Sequence, residues 1–523
     1  MSLGPADVER WDPRALDAVG RSAGHRAEAV GALADELRRL IASLQGWCGS
    51  AAEASRHALS RIVDELRAQG DAAQRVSVAA ARVAEQVSAL KRGDTADTRL
   101  LDTAEAIDAR LADELSVTVN GIPVRGSPAR PVFPEQESST EQIRDWWRGL
   151  SDSEREALLA DHPDLIGSLD GIPIETRDRA NRALLRHDLA DGAGAALINA
   201  EGVRDGLELN QQRTGAPTYL ITYQPDRFGG QGRAAIAIGN PDTATHTAIM
   251  VPGTGASVAS GWLADDTDHS DLFNELASAA GDSGTASVVA WMGYNAPESL
   301  VDPRVTVPRL ARDGGALLAA DVGALRATGK PGAHLTVVGH SYGATTVADA
   351  AAASGMRADD IVLTGSPGCD LAHTAADFHL PAGGHVYVGA ASTDPVTFLA
   401  GTRGELPATD VPTGLLGLGP DPAADGFGST RFRAEAPGLG VAIWSDHGCY
   451  FTPGTESLYS IADIAAGDGR LLAEHGMTAP HRSSVLSDIA SALELPNWSS
   501  PLADPELIRA ATGGHFHPPV TRG

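Results

Sequence analysis

The sequence predicts an α/β protein: a mostly parallel eight-stranded sheet flanked by helices, preceded by an all-α helical bundle. Three observations lead there. The first ~115 residues contain no Tyr or Phe and are dense in Ala, Leu, Arg and Glu. Beyond residue 216, short β-branched runs alternate with helical or Gly-rich stretches. The later runs are almost wholly apolar, as parallel strands buried on both faces should be.

Residues 1–118 read as a helical bundle. Leu33, Leu37, Leu40, Ile41 and Leu44 recur on one helical stripe. Gly46-Trp47-Cys48-Gly49-Ser50 breaks it. A second helix follows with Leu59, Ile62, Val63 and Leu66 on one face, and a third with Val76, Val83, Val87 and Leu90. Short turns between them predict antiparallel packing. Residues 119–139 hold four prolines and read as a linker. Residues 140–215 are helical again, with Ser151 and Glu154 spaced as a capping box.

Residues 216–470 form the sheet domain. Strands are expected near 218–224, 233–239, 246–252, 287–293, 334–339, 360–365, 385–391 and 441–445. Residues 471–523 add a helical extension, including 485–495, and a polar tail.

Composition bounds the function. Of 523 residues, 42% are hydrophobic and 21% charged, enough for a core and too apolar for a wholly disordered chain. The net charge is −27. A nucleic-acid binder needs a basic face, and an anionic membrane attracts one, so both are disfavoured. Three cysteines are too few for a disulfide scaffold or a Cys-based zinc site. No apolar run approaches the ~20 residues of a membrane span. The N-terminus lacks the basic-then-apolar pattern of an ordinary signal peptide. A cytoplasmic location is expected, with a specialised export route as the alternative.

The chemistry concentrates in His334-Leu335-Thr336-Val337-Val338-Gly339-His340-Ser341-Tyr342-Gly343, where an apolar strand runs into G-x-S-x-G and an Ala-rich helix follows. That context makes the pentapeptide a nucleophile elbow and predicts the α/β-hydrolase fold. A Cβ at either glycine would collide with the crossing strand or helix. Ser341 is the expected nucleophile. A serine hydroxyl needs a base oriented by a third group. Asp394, in the turn after the strand at 385–391, stands where the acid should be; Asp370 competes from one strand earlier. His447, after the last expected strand, stands where the base should be. His340 should point away from the nucleophile. The Tyr342 backbone N–H is one oxyanion donor by position. The second is expected from Val251-Pro252-Gly253-Thr254-Gly255, with the Thr254 amide favoured and Gly255 as the alternative. This loop lacks the Lys-Ser/Thr of a phosphate-binding P-loop. No cofactor or metal is called for.

Residues ~140–465 resemble the large actinobacterial α/β-hydrolase family long filed as a domain of unknown function. The matching stretches are Leu169-Asp170-Gly171-Ile172-Pro173, Arg177-Asp178, Ala180-Asn181-Arg182, Val251 to Gly255, Trp291-Met292-Gly293-Tyr294, Gly339 to Gly343, Asp394-Pro395-Val396, His447-Gly448 and Tyr450-Phe451. The resemblance implies serine hydrolase chemistry without a substrate. The N-terminal bundle resembles the WXG-type hairpins of type VII secretion, with Trp47-Cys48-Gly49 at the turn. The Tyr-x-x-x-Asp/Glu signal that should follow is missing, since no Tyr precedes Tyr219. The plain reading is a helical cap or a self-associating bundle, with a secretion partner through this bundle as the alternative.

The expected reaction is cleavage of an acyl bond, a carboxylic ester foremost, on a small-molecule or lipid-like substrate. The rivals are a scaffold with a vestigial hydrolase fold and a serine peptidase or amidase. Cys369 and Cys449 fall on loops lining the top of the sheet, where they would pair if the chain is exported or else stay free. Trp262, Trp146 and Trp147 are candidates for an acyl pocket, with core packing the alternative for the last two.

Overall fold

The computed structural model describes residues 11–43, 50–91, 107, 133–134, 138–281, 284–299, 302–397, 399–400, 418–435, 446–482 and 504–506. The chain divides into two compact units, residues 1–132 and 133–523.

In the first unit, α1 (Pro13–Ser43) and α2 (Ser50–Lys91) form an antiparallel hairpin. A Cβ on Gly20 would lie 3.2 Å from the Ser77 carbonyl, and one on Gly70 would lie 3.6 Å from that of Ala27. Two of the expected helices are thus one 42-residue helix, which Gly70 does not interrupt. The expected leucine stripe also needs correcting. Leu33 and Leu40 are 47% and 52% exposed, while Gly20 and Ala34 are buried. Small residues let the helices approach closely, and Ala79, Ala80 and Ala84 are buried alongside the expected Val63, Val83, Val87 and Leu90. Trp47-Cys48-Gly49 lies outside the described residues, as does nearly all of the expected linker.

The second unit opens with five helices: α3 (Thr140–Gly149), α4 (Asp152–Asp161), α5 (Pro163–Ser168), α6 (Ile174–Asp191) and α7 (Gly194–Thr214). The expected capping box starts α4: Ser151 Oγ accepts from the Glu154 amide, and Glu154 returns a carboxylate to the Ser151 amide at 2.7 Å. Trp147 is buried with Ile143, Leu158, Ile166 and Ile172 in a small core of this segment. Trp146 is part-buried against it. Both therefore pack as core.

The sheet has eight strands: β1 (Thr218–Gln224), β2 (Arg233–Ile238), β3 (His246–Val251), β4 (Ala286–Met292), β5 (His334–His340), β6 (Asp360–Thr364), β7 (Val386–Gly389) and β8 (Thr430–Phe432). Their order is β1-β2-β4-β3-β5-β6-β7-β8. β2 runs antiparallel to both β1 and β4; every other pairing is parallel. Further helices are α8 (Asp268–Ala280), α9 (Arg309–Thr328), α10 (Tyr342–Ser354) and α11 (Glu456–Ala465). Successive strand residues feed opposite cores. Ile249, Val337 and Ile361 face α9 and α10; Met250, Val338 and Val362 face α8 and α11. Two-sided burial accounts for the uninterrupted apolar runs.

Seven strands fall where the sequence predicts them. The eighth does not. The expected strand at 441–445 lies outside the described residues, and the strand beside β7 is Thr430-Arg431-Phe432. Three residues with a central arginine offer no apolar run to detect. The expected helix at 485–495 is also outside the described residues.

The stretch around Asp178-Ala180-Asn181-Arg182 has a structural explanation. β1 is an edge strand, and open edges invite unwanted pairing. Here α6 covers it with side chains. Asp178 accepts the Leu220 N–H at 2.6 Å, Asn181 donates to the Leu220 carbonyl at 3.0 Å, and Arg182 donates to the Thr218 carbonyl at 2.7 Å.

Candidate active site

At the end of β5 the backbone turns sharply into α10. Ser341 sits at that turn with φ 58° and ψ −130°. This is a strained conformation for a residue with a Cβ, costing about 1–3 kcal/mol. Two glycines make room for it. A Cβ on Gly343 would lie 2.4 Å from the Val251 carbonyl oxygen, and one on Gly339 would lie 2.7 Å from Ala344 Cα. These are the collisions the pentapeptide predicts. Ser341 is buried, its N–H donates to the Thr364 carbonyl at 2.9 Å, and α10 begins at the next residue.

Asp394 follows β7 and is completely buried. Its Oδ2 accepts the Tyr450 hydroxyl at 2.6 Å and its Oδ1 the Val396 amide at 2.9 Å. His447 Nδ1 lies 3.0 Å from both carboxylate oxygens. Burial pushes the Asp394 carboxyl up, but the hydrogen bond and charge of His447, with the bonds from Tyr450 and Val396, outweigh it. The carboxyl ends below its usual range. A carboxylate only accepts, so His447 carries its hydrogen on Nδ1 and leaves Nε2 free to take a proton.

Gly365 is where these parts meet. The β5–β6 ladder pairs His340 with Thr364, so Ser341 and Gly365 leave the sheet side by side. A Cβ on Gly365 would lie 2.9 Å from His447 Cε1 and 3.0 Å from Asp394 Oδ2. Serine, imidazole and carboxylate thus share one end of the sheet. Asp370, the competing acid, is instead held by Arg312, at 2.6 and 3.2 Å.

The loop after β3 passes directly over the serine. A Cβ on Gly253 would lie 2.5 Å from Ser341 Cβ and 2.9 Å from its Oγ. Tyr294 steadies the loop by donating to the Pro252 carbonyl at 2.7 Å. The Gly255 N–H donates to the Pro297 carbonyl at 2.8 Å. That bond removes Gly255 as a donor to a substrate, which corrects the alternative drawn from sequence. Among the described residues, neither the Tyr342 nor the Thr254 N–H donates to another protein group.

His340 packs against His447. Its ring centroid lies 4.7 Å from that of His447, and its Nε2 lies 2.7 Å from the His447 carbonyl oxygen. A carbonyl only accepts, so His340 Nε2 carries the hydrogen. Burial first, and then the neighbouring His447, lower the His340 pKa to about 4. Between about pH 6.5 and 4 the unfolded chain binds a proton that the folded one refuses. Stability therefore falls as pH drops through that window, by up to about 3 kcal/mol, and is fully present above it. His340→Gln, which keeps a donor for the His447 carbonyl, should flatten this dependence. Urea unfolding at pH 7.5 and pH 5 measures it; an unchanged difference between the two pH values would contradict the assignment.

Cys369 and Cys449 are not joined to each other. Cys369 is fully buried in the core on the α10 side, while Cys449 is part-exposed in the turn beyond His447. The pairing considered for an exported chain is not formed. Trp262 is part-buried, packed edge-on against His269 at 4.3 Å. Among the described residues no three His, Cys, Asp or Glu side chains converge as a metal site.

A profile of an α/β-hydrolase family matches residues 228–402, which include Ser341 and Asp394. An uncharacterized protein of Mycobacterium tuberculosis strain H37Rv is 40% identical over 557 aligned positions, covering 92% of this chain and 84% of its own. The chain belongs to the α/β-hydrolase family. A further uncharacterized relative, from Mycobacterium bovis, is 33% identical over 149 residues, 27% of this hydrolase and 54% of that protein. Among solved structures, an esterase of Pyrobaculum calidifontis is 16% identical and covers 55% of this hydrolase and 97% of its own chain, with a TM-score of 0.28. A likeness that loose carries no argument about the substrate. No described helix of the hydrolase is long and apolar enough to cross a membrane.

Sequence reasoning missed two contributors. Tyr450 lies in a stretch quoted for the family resemblance, but nothing in the sequence says that its hydroxyl meets Asp394. Gly365 follows an apolar strand and carries no local signal. Both are found only when the turns after β6, β7 and residue 445 are brought together.

Proposed function

We propose that this hydrolase is a serine hydrolase that cleaves a carboxylic ester through an acyl-enzyme. The observation that supports it is the hydrogen-bonded Asp394–His447 pair at the Gly365 position beside Ser341. In this reading Ser341 Oγ attacks the acyl carbonyl while His447 Nε2 takes its proton. Asp394 holds the imidazole in the required tautomer and stabilises its charged form. The Tyr342 and Thr254 amides face the developing oxyanion. His447 then protonates the departing alcohol, and the ester bond breaks. Water attacks the acyl-enzyme with His447 again as base, which releases the acid and restores Ser341. The substrate is a small acyl compound, and no cofactor enters the cycle.

The experiment is a series of p-nitrophenyl esters of increasing acyl length, run beside peptide p-nitroanilides. Saturable turnover of the esters, with little of the anilides, is expected. Turnover of anilides alone would make the protein a peptidase. Turnover of neither would leave a binding scaffold.

A further inference from the structure

The turn that carries Asp394 is braced by buried charges from three distant parts of the chain. Arg431, at the centre of β8, donates from Nη2 to the Ala390 carbonyl at 2.7 Å and to both oxygens of Asp504 at 2.9 and 2.8 Å. The side chains of Arg431 and Asp504 are both 0% exposed. Arg482 donates from Nε to Asp504 at 2.8 Å and from Nη1 to Asp421 at 3.2 Å. It also grips the far end of the acid turn, reaching the Thr397 carbonyl at 3.3 Å and Thr397 Oγ1 at 2.9 Å. Thr397 Oγ1 in turn donates to the Asp394 carbonyl at 2.9 Å.

Buried ion pairs are a poor source of stability. Desolvating each charge costs several kcal/mol, and apolar residues of similar size often do as well. What this arrangement supplies is direction. Two guanidinium groups, which share the Asp504 carboxylate, present donors at fixed positions to carbonyls on both sides of Asp394. A hydroxyl placed between Arg482 and the Asp394 carbonyl completes the connection. The hydroxyl suits this place because it donates and accepts at once.

Resting on the serine-hydrolase reading, we infer that Thr397 is a positioning residue for the reaction. Through it the Arg482–Asp504 pair sets how the Asp394 carboxylate meets His447. Asp504 thereby helps to position the acid, although it lies more than a hundred residues beyond it.

The test uses the full chain and p-nitrophenyl acetate, with reactive sites counted by fluorophosphonate titration run to completion. Thr397→Val keeps the shape and removes the hydroxyl; Thr397→Ser keeps the hydroxyl and removes the methyl. Thr397→Val is expected to lower kcat per titrated site about tenfold, one hydrogen bond's worth, with KM nearly unchanged. Thr397→Ser should rescue the rate, and Asp504→Asn should follow Thr397→Val. Should Asp504→Asn fail to fold, the near-isosteric Thr397 pair still decides. Wild-type kcat per site in Thr397→Val would overturn the inference, as would a larger loss in Thr397→Ser, which would mean that the methyl packing matters instead. A wild-type chain that neither turns over esters nor reacts with the fluorophosphonate overturns the hydrolase reading itself, and this inference with it.

Discussion

Ser341→Ala should lower kcat for ester hydrolysis by about 10⁴-fold or more, and His447→Ala by a comparable factor. In the proposed mechanism the two groups act in one step, since the hydroxyl is useless without an acceptor for its proton and the imidazole is useless without the hydroxyl. Their effects should therefore not add. The double variant is expected to be no slower than the worse single one. Steady-state kinetics on a p-nitrophenyl ester, with folding checked by circular dichroism, measures this. Losses that multiply would mean that the two residues act in separate steps. Ser341 makes a clean target, because its hydroxyl sits on a turn whose shape is set by Gly339 and Gly343.

Gly365→Ala is expected to have the next largest effect, although residue 365 supplies no chemistry. Its φ is +57°, so any Cβ there costs about 1–2 kcal/mol in backbone strain alone. The added methyl would also sit 2.9 Å from His447 Cε1 and 3.0 Å from both His447 Nδ1 and Asp394 Oδ2. It would enter the space that the imidazole and carboxylate share. The side chains must separate, and a misplacement of about 1 Å at such a site costs about 10²-fold in rate. The loss should appear in kcat, with KM nearly unchanged, and exceed anything the lowered stability explains at a temperature where the variant stays folded. A variant with wild-type kcat would show that this pair tolerates displacement and does not govern the rate.

How much of this was legible in the sequence follows from where the determinants lie. The elbow is local. Gly339, Ser341 and Gly343 fall within five residues, and the strand before and helix after them have clear periodicity. Asp394 and His447 were legible as residues in turns, because chain order and strand succession narrow the choice. Asp370 could be set aside only once its pairing with Arg312 was seen. Gly255 as an oxyanion donor failed because its amide is consumed by Pro297, a partner more than forty residues away that no spacing rule names. β8 was missed because Arg431 reads as a surface residue; its burial makes sense only beside Asp504, which comes from another part of the chain. In the N-terminal unit, Val83, Val87 and Leu90 are buried as their spacing predicts, whereas Leu33 and Leu40 are exposed and small residues such as Gly20 and Ala34 are buried instead. Local steric demands are written in short motifs, whereas long-range electrostatic pairing is written nowhere in particular.

In the proposed mechanism the Ser341 hydroxyl is the activated nucleophile. Incubating the intact chain with a fluorophosphonate and mapping the adduct by peptide mass spectrometry tests this. A single phosphonylated residue, Ser341, is predicted, with labelling abolished in Ser341→Ala and strongly slowed in His447→Ala. Stoichiometric labelling of another residue, or no labelling of the folded wild-type chain, would contradict it.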